Sequence, residues 1–241
     1  MEDIDAIAAL QDPVRRRLYE YVVARGREVG RNEAAEATGV ARTLAAHHLD
    51  RLTEAGLLES GSRRLTGRSG PGAGRPAKVY TRARAERAVS LPARDYRTAA
   101  ELLAEAAEQA GLDAELTTAA RRRGEALRGP AAPCGSLEQA MEVLTARGYE
   151  PHLESGGDSP DIEDTEGTGG AGEAARSGTP VVRMRNCPFH AVAERFPPLV
   201  CGMNLALLEG LLGADGAVRA RLDARPGECC VVVEPSKNKS R

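Results

Sequence analysis

The pattern of apolar and polar positions between residues 31 and 58 predicts two short helices and the start of a strand. The first helix should cover residues 32–37 and end at Thr38-Gly39, because glycine accepts the positive φ of a tight interhelical turn. The second helix should stop at Gly56, before the strand that begins with Leu57. Its core-facing positions, at helical spacing, are Val40, Leu44, His48, Leu49 and Leu52. This pattern is typical of a helix-turn-helix, whose second helix can lie in the DNA major groove.

The outward side of the second helix carries the candidate DNA contacts. Arg42 is suited to guanine, Thr43 to a phosphate or a thymine methyl group, and His47 either contacts DNA or remains a solvated surface residue. His48 is expected to be packed and hydrogen-bonded inside the domain. The predicted DNA-binding positions of this helix are Arg42, Thr43, Ala46, His47 and Arg51.

A basic hairpin, or wing, should follow the second helix. Residues 63–94 contain nine Lys or Arg residues and one acid, which gives this segment a net charge of +8 in a chain of net charge −2. Such a segment can neutralise phosphates and release counterions. Arg75, between Gly74 and Pro76, is a candidate for insertion into a minor groove, and Arg68 and Lys78 are further candidates for DNA contact. The alternative is a disordered basic loop that only improves solubility.

The first third of the chain resembles the winged helix-turn-helix of ArsR-like bacterial regulators. The matching segments are Asp12-Pro13-Val14-Arg15-Arg16-Arg17-Leu18, His48-Leu49-Asp50-Arg51-Leu52, Glu54-Ala55-Gly56-Leu57-Leu58 and Gly74-Arg75-Pro76-Ala77-Lys78-Val79-Tyr80. The resemblance implies a transcriptional regulator that binds a double-stranded DNA operator. Because one helix-turn-helix reads only a short half-site, a homodimer is expected. The alternative is a helical hairpin in an unrelated domain.

The periodicity outside this region predicts further helices and a sheet. One helix should cover residues 4–26, and Ser136 should cap another, with Gln139 in the capping-box position. Additional helices are expected over residues 94–110 and 114–128 and in a segment that ends at Leu212. Strands are expected over residues 149–153, 181–185, 217–222 and 230–234.

These elements predict an α+β chain with an N-terminal winged helix-turn-helix, central helices, and a C-terminal antiparallel sheet with helices on one face. The expected domains are a DNA-binding domain at residues 1–93, a helical dimerisation or linker region at 94–133, and a C-terminal domain at 134–241. Residues 155–180 are rich in glycine and acids and poor in large apolar side chains, so they should form a disordered acidic loop.

Composition suggests a cytoplasmic protein. No apolar run approaches the roughly 20 residues of a membrane span, and the acidic start, Met1-Glu2-Asp3, lacks a signal-peptide pattern. Thiols remain reduced in the cytosol, so the five cysteines suggest metal, cluster or redox chemistry. An enzyme is not expected, because the chain has no Cys-x-x-Cys motif and only four histidines.

Three cysteines are placed to converge. Cys187 precedes Pro188, a residue favoured at helix starts; Cys201 follows Pro197-Pro198 in the opening turn of the next helix; and Cys229 lies in a turn before the last strand. Helix N-termini stabilise thiolates, so these sulfurs could hold an iron–sulfur cluster or zinc, with His190 as a tentative fourth ligand. The alternative is burial as small apolar residues. Cys134 should be an incidental thiol, and Cys230 should point away from Cys229 by strand alternation.

The segment Cys187-Pro188-x-x-x-Val192-Ala193-Glu194-Arg195-Phe196-Pro197-x-Leu199-x-Cys201, with a distant Cys229, is similar to the C-terminal domain of SufR-type repressors. The resemblance implies a [4Fe-4S] cluster on Cys187, Cys201 and Cys229, repression of genes for iron–sulfur assembly, and a sensor role for the C-terminal domain. Zinc is the alternative cofactor. A second functional alternative is a winged-helix regulator that responds to a small organic ligand, with structural zinc or no metal.

Overall fold

The computed structural model describes residues 2–63, 76–154 and 179–236. The chain forms two compact units, Met1–Arg94 and Asp95–Arg241. The α+β class predicted from the sequence is confirmed. Arg68, Arg75 and nearly all of the predicted acidic loop lie outside the described residues.

The first unit is a winged helix-turn-helix with a small antiparallel sheet of order β1-β3-β2. Its core contains Leu18, Val22, Leu49, Leu52 and Tyr80, all almost completely buried. Its elements are α1 (Glu2–Ala9), α2 (Pro13–Arg25), β1 (Val29–Gly30), α3 (Arg31–Thr38), α4 (Arg42–Glu54), β2 (Leu58–Arg63) and β3 (Ala77–Arg82).

The turn between α3 and α4 forms as the sequence predicts. Gly39 adopts the left-handed conformation with φ of 68°, and its backbone N–H donates to the carbonyl oxygen of Glu36 at 3.2 Å. The prediction of one helix over residues 4–26 is wrong, because α1 ends before Asp12. The Asp12 side chain accepts hydrogen bonds from the N–H groups of Val14 and Arg15, and Pro13 occupies the first turn of the new helix α2.

The second unit contains a four-stranded antiparallel sheet of order β4-β5-β7-β6. Helices α7 and α9 contribute Leu144, Leu208 and Leu212 to the core that covers this sheet. The helices expected to form a separate linker region belong to this unit. Its elements are α5 (Tyr96–Gln109), α6 (Asp113–Arg128), α7 (Leu137–Thr145), β4 (Pro151–Glu154), β5 (Val181–Met184), α8 (His190–Ala193), α9 (Pro197–Leu212), β6 (Val218–Leu222) and β7 (Val231–Pro235).

Helices α6 and α9 cross with their backbones in contact. A Cβ atom added to Gly124 of α6 would lie 2.1 Å from the Leu207 carbonyl oxygen, and one added to Gly210 of α9 would lie 2.2 Å from the Arg121 carbonyl oxygen. Only glycine fits at both positions, which explains why two glycines are retained inside helices despite their conformational cost.

Candidate functional site

Helix α4 turns one side to the core and leaves its first turn exposed. The residues buried on its inner side are Ala45, His48, Leu49 and Leu52. The prediction that Leu44 faces the core is wrong, since 42% of its surface is exposed. Ala45 takes the inward position instead, one helical turn before Leu49, and this phase turns Leu44 outward beside Thr43.

The predicted DNA-binding positions of α4 differ in their surroundings. Arg42, Thr43 and His47 are exposed, while Ala46 is half-buried. Arg51 is exposed near the end of the helix, where its guanidinium lies 2.9 Å from the Glu54 carboxylate. The first two turns of α4 therefore present a mixed cationic, polar and apolar surface, and Arg51 already has an acidic partner.

His48 is packed inside the unit, as predicted, but Nδ1 of its ring lacks a hydrogen-bond partner among the described residues. Burial lowers the pKa of His48, although the nearby Asp12 carboxylate opposes that effect. The imidazole is therefore neutral at physiological pH and belongs to the core. Its ring meets that of His47 edge to face, with 5.4 Å between the ring centroids.

Four polar side chains link α4 to the wing strand β3. Asp50 accepts hydrogen bonds from Lys78 Nζ and from the Tyr80 hydroxyl, both at 2.7 Å, and from Arg31 Nη2 at 3.1 Å. Arg31 Nε also donates to the Tyr80 hydroxyl oxygen at 2.8 Å. Burial, together with the neighbouring Asp50, raises the pKa of Tyr80 to about 12, so its hydroxyl keeps its proton. This network, which sequence reasoning missed, holds α4 against the wing.

Several wing cations are neutralised by acids. Lys78, predicted to contact DNA, pairs with Asp50. Arg63 Nη1 lies 3.1 Å from the Glu28 carboxylate, and Arg87 Nη1 lies 2.9 Å from that of Asp3. The electrostatic contribution of these residues is therefore smaller than a count of basic residues suggests.

An open groove of about 1000 Å³ is lined by the wing strands, by α3 and by the first residue of α4. Its helical side carries Arg42 and also the acids Glu33 and Glu36 of α3, and Lys78 of β3 lies on the wing side. The groove brings two of the predicted DNA-binding residues, Arg42 and Lys78, to one surface of the unit.

In the second unit, the thiols of Cys187, Cys201, Cys229 and Cys230 influence one another, and we call these four residues the sulfur network. Cys229 contacts both Cys187 and Cys230, and Cys230 also contacts Cys201. The structure therefore brings together the three cysteines that the sequence singled out. Cys134 is buried in the same core as Cys229, with its backbone hydrogen-bonded to Leu212 and Ala217.

The electrostatics of the network centre on Cys229. Hydrogen bonds from the Cys187 and Cys230 thiols hold the pKa of Cys229 far below its usual range, despite the burial of its side chain. The pKa values of Cys187 and Cys230 are raised, because each is hydrogen-bonded to Cys229 and each is partly buried.

The prediction that Cys230 points away from Cys229 is wrong. Both residues lie in the turn before β7, which begins at Val231, so strand alternation does not apply to them. The backbone fixes this turn: the Cys229 N–H donates to the Met184 carbonyl oxygen at 2.9 Å, and the Asp223 N–H donates to that of Cys230 at 2.8 Å.

The structure does not bring the His190 side chain into the sulfur network. His190 begins α8 with 67% of its side chain exposed, and its Nε2 lies 3.2 Å from the Glu194 carboxylate. Cys187 stands in a turn before this four-residue helix, not at the start of a long one. The Phe189 backbone N–H nevertheless donates to its sulfur.

The buried side-chain amide of Asn204 contacts the sulfur network. Asn204 of α9 is completely buried, and its Nδ2 donates to the Cys229 sulfur at 3.4 Å. Its Oδ1 accepts a hydrogen bond of 2.5 Å from the Tyr149 hydroxyl. Sequence reasoning missed Asn204, although a polar residue three positions after Cys201, on a helix otherwise rich in leucine, was the available signal.

An arginine anchors the turn that carries Cys229 and Cys230. Arg183 of β5 is only 1% exposed, and it donates to the carboxylates of Glu154 at 2.8 Å and Asp223 at 2.6 Å. Arg225 Nη1 also donates to Glu154, at 2.6 Å. These ion pairs connect the segment before β7 to the neighbouring strands, and so fix where the two cysteines stand.

In the described part of the chain, no group of three or more His, Cys, Asp or Glu side chains is arranged so that it could hold a metal ion. Within the same residues, no helix has both the length and the apolar character needed to cross a membrane.

Comparison with known families gives one match. Residues 10–61 match the family model of a helix-turn-helix domain. No curated protein and no solved structure matches the chain. The matched residues include α2, α3 and α4, the part of the molecule that carries the exposed first turn described above. This match supports a DNA-binding transcriptional regulator.

Proposed function

We propose that this protein is a homodimeric transcriptional repressor whose affinity for its operator depends on a cofactor held by Cys187, Cys201 and Cys229. The observation that carries the DNA-binding part is the exposed first turn of α4 beside the wing, within the matched helix-turn-helix. The cofactor part rests on the sulfur network and on the SufR-like spacing of its cysteines.

The chemistry of α4 fits base readout. Arg42 forms no hydrogen bond or ion pair with any described residue, so its guanidinium is available for the acceptor edge of a guanine. Thr43 and Leu44 offer a hydroxyl and an apolar contact for a phosphate and a thymine methyl group. The Asp50 network would hold this helix at a fixed angle to the wing, which is what a reading element needs.

Selection of bound sequences from a random pool of duplexes tests the DNA-binding proposal. The wild-type protein should enrich a two-fold symmetric sequence. Arg42→Ala should relax one position per half-site, with a loss of about 1–3 kcal/mol in discrimination. Arg51→Ala is the matched control, because Arg51 is engaged with Glu54. Failure to enrich any sequence, or equal losses for both variants on all DNA, would contradict the assignment of Arg42.

The residue types of the sulfur network, and not a preformed ligand geometry, support a soft metal ion or an iron–sulfur cluster. Several thiols meet in a partly buried place, and thiolate is the preferred ligand of both zinc and iron–sulfur clusters. Asn204 already stabilises negative charge at Cys229. A [4Fe-4S] cluster is the preferred occupant and zinc the second, and a bound cluster would supply sensitivity to iron and oxidation.

Anaerobic purification with iron, sulfide and zinc analysis tests the cofactor. The proposal expects bound iron and sulfide, or zinc, in the wild-type protein and none in Cys187→Ser, Cys201→Ser or Cys229→Ser. Cys134→Ser is the control, because burial and Arg128, and not the thiols of the network, shift the pKa of Cys134. If the wild-type protein carries no metal, or if the triple variant still regulates DNA binding, control by a small organic ligand replaces this proposal.

A further inference from the structure

Arg31, the first residue of α3, is not among the predicted DNA-binding residues, yet it shares a carboxylate with one of them, Lys78. Arg31 Nη2 lies 3.1 Å from one oxygen of Asp50, and Lys78 Nζ lies 2.7 Å from the other. The carboxylate therefore brings two cations from different elements, α3 and β3, side by side.

Both cations keep hydrogen-bond donors that the carboxylate does not use. An arginine has five N–H donors and a lysine three. Arg31 donates from Nε to the Tyr80 hydroxyl and from Nη2 to Asp50, and its Nη1 has no acceptor among the described residues. The side chains of Arg31 and Lys78 are 32% and 36% exposed, and both residues line the open groove beside the wing. Their unused donors are thus available to a ligand in that groove.

The charge of this cluster matches that of one phosphate group. Burial opposes the ionisation of Asp50, but hydrogen bonds from Lys78 and Tyr80 and the nearby charge of Arg31 outweigh it and lower the pKa of Asp50. Tyr80 stays protonated, since burial raises its pKa to about 12. Two cations and one anion leave the cluster with a net charge of +1, opposite to the single negative charge of a backbone phosphate.

Two acids also line the groove, and they indicate where in it a phosphate would lie. Glu33 is already engaged, because Arg27 Nη2 donates to it at 2.6 Å and the Tyr21 hydroxyl donates to it at 3.1 Å. Glu36 has no such partner in the described part of the chain, and it lies five residues after Arg31, about 7.5 Å further along the axis of α3. Repulsion from Glu36 therefore favours the Arg31 end of the groove.

We propose that Arg31 and Lys78, held side by side by the Asp50 carboxylate, together bind one phosphate group of the DNA backbone. This inference rests on the proposed DNA-binding function and adds Arg31 to the residues that contact DNA. Phosphate contacts carry no sequence information but fix how a protein is placed on the duplex. A phosphate held here would set the position of α4, whose Arg42 lines the same groove.

The salt dependence of binding to a short duplex of random sequence, measured with the full-length protein, tests this contact. Arg31→Ala should lower the slope of log K against log sodium chloride concentration by about 0.9, the value for one phosphate contact. It should also weaken binding to random and selected duplexes to the same extent. Arg31→Lys keeps the charge and should restore most of the slope. Arg17→Ala is the matched control, because Arg17 is an exposed arginine of the same unit that does not line the groove, and it should leave the slope unchanged.

Tyr80→Phe distinguishes a phosphate contact from a purely structural role of Arg31. The substitution removes the hydroxyl that joins Arg31 to Asp50 but leaves every charge of the cluster in place. We expect it to lower the thermal stability of the unit and to keep the wild-type slope. An unchanged slope in Arg31→Ala, or an equal loss of slope in Tyr80→Phe, would overturn this inference and leave the proposed function standing. If the wild-type protein binds no duplex DNA even at low salt, both fail.

Discussion

Two leucines of helix α4, five positions apart, perform opposite tasks. Leu49 is completely buried among the helices of the first unit, whereas Leu44 has 42% of its surface exposed beside Thr43. An exposed leucine on the proposed reading surface of this helix is suited to apolar contact with a thymine methyl group. Within this one helix, Leu49 contributes to the stability of the unit, and Leu44 is available for the proposed contact with DNA.

The variant Leu44→Ala should weaken operator binding several-fold while changing the free energy of unfolding by less than about 0.5 kcal/mol, as is usual for surface positions. Leu49→Ala is the matched control, since the same truncation in the core should cost about 2–5 kcal/mol. Chemical denaturation and fluorescence anisotropy with a selected operator measure the two effects. A large loss of stability in Leu44→Ala would place this side chain back in the core.

At this scale, spacing in the sequence singled out Cys187, Cys201 and Cys229 as candidates, but it gave no place to Asn204, whose amide donates to the Cys229 sulfur. The adjacent Cys229 and Cys230 were assigned by alternation, a rule that holds only inside a strand, and the strand begins one residue later. Leu44 was misplaced because Val40 and Leu44 fit the helical period as well as Ala45 does. A small residue on the core side leaves little hydrophobic signal, so its larger neighbour was assigned instead.

Among the elements, α6 and α9 are joined by the closest packing. Gly124→Ala would place a methyl group against the backbone of α9, where no side chain can move aside. We expect this variant to destabilise the second unit by about 3 kcal/mol. Gly202 lies in α9, and a Cβ atom added there would meet open space. Gly202→Ala should therefore stabilise the second unit by about 0.5–1 kcal/mol. Thermal unfolding compares the two; equal effects would contradict the close crossing.

The ion pairs around Arg183 give the sheet a pH dependence. Burial alone would raise the pKa of Glu154, but hydrogen bonds from Arg225 and Arg183 outweigh it and hold the pKa below its ordinary value of 4.5. A carboxylate with a lowered folded-state pKa contributes stability above its unfolded-state pKa, and that contribution is lost as the pH falls through the folded-state pKa. The wild-type protein should therefore be more stable than Glu154→Gln at pH 7.

Below about pH 4.5 the difference between wild-type and Glu154→Gln proteins should shrink as the wild-type carboxylate takes up its proton. Circular dichroism at a series of pH values measures the midpoint of thermal unfolding for both. A difference that stays constant down to pH 3 would show that Glu154 does not act through its charge. Glu142→Gln, at an exposed position of α7, serves as the comparison variant.

Most elements of the second unit were predictable because strands and helices there carry regular apolar runs. Each observed strand lies within two residues of its predicted bounds. The division of the first helix at Asp12-Pro13 was missed because the apolar pattern runs through it, although an N-cap aspartate followed by proline is itself a signal for a helix start. The α6–α9 crossing was not predictable, since a glycine in a helix does not indicate which helix approaches it.

At the scale of the whole molecule, the proposed homodimer needs a surface in each chain. Helix α5 has no fully buried residue, and its outer side presents Tyr96, Leu102 and Leu103 with 61–73% of their surfaces exposed. Its inner side packs Ala104 and Ala107 against the cluster of Phe196. In the proposed homodimer, a second copy of this helix would cover these exposed apolar side chains.

Leu103→Asp should therefore shift the protein from dimer to monomer and abolish binding to a two-half-site operator. Leu153→Asp is the control, because it makes the same substitution at an exposed leucine of β4, and it should leave the dimer intact. Analytical ultracentrifugation gives the mass of both variants. If Leu103→Asp remains dimeric at the concentrations at which the wild-type protein does, the contact lies elsewhere.

The close crossing of α6 and α9 also has a mechanical meaning. Backbone pressed against backbone at Gly124 and Gly210 prevents the helices from approaching further there and makes that point a pivot. Cys201 lies nine residues before Gly210 on α9, which corresponds to a lever arm of about 14 Å along the helix axis. A small displacement of the Cys201 sulfur would tilt helix α9 about this contact. A chemical change at Cys201 would thus alter the angle between α9 and α6.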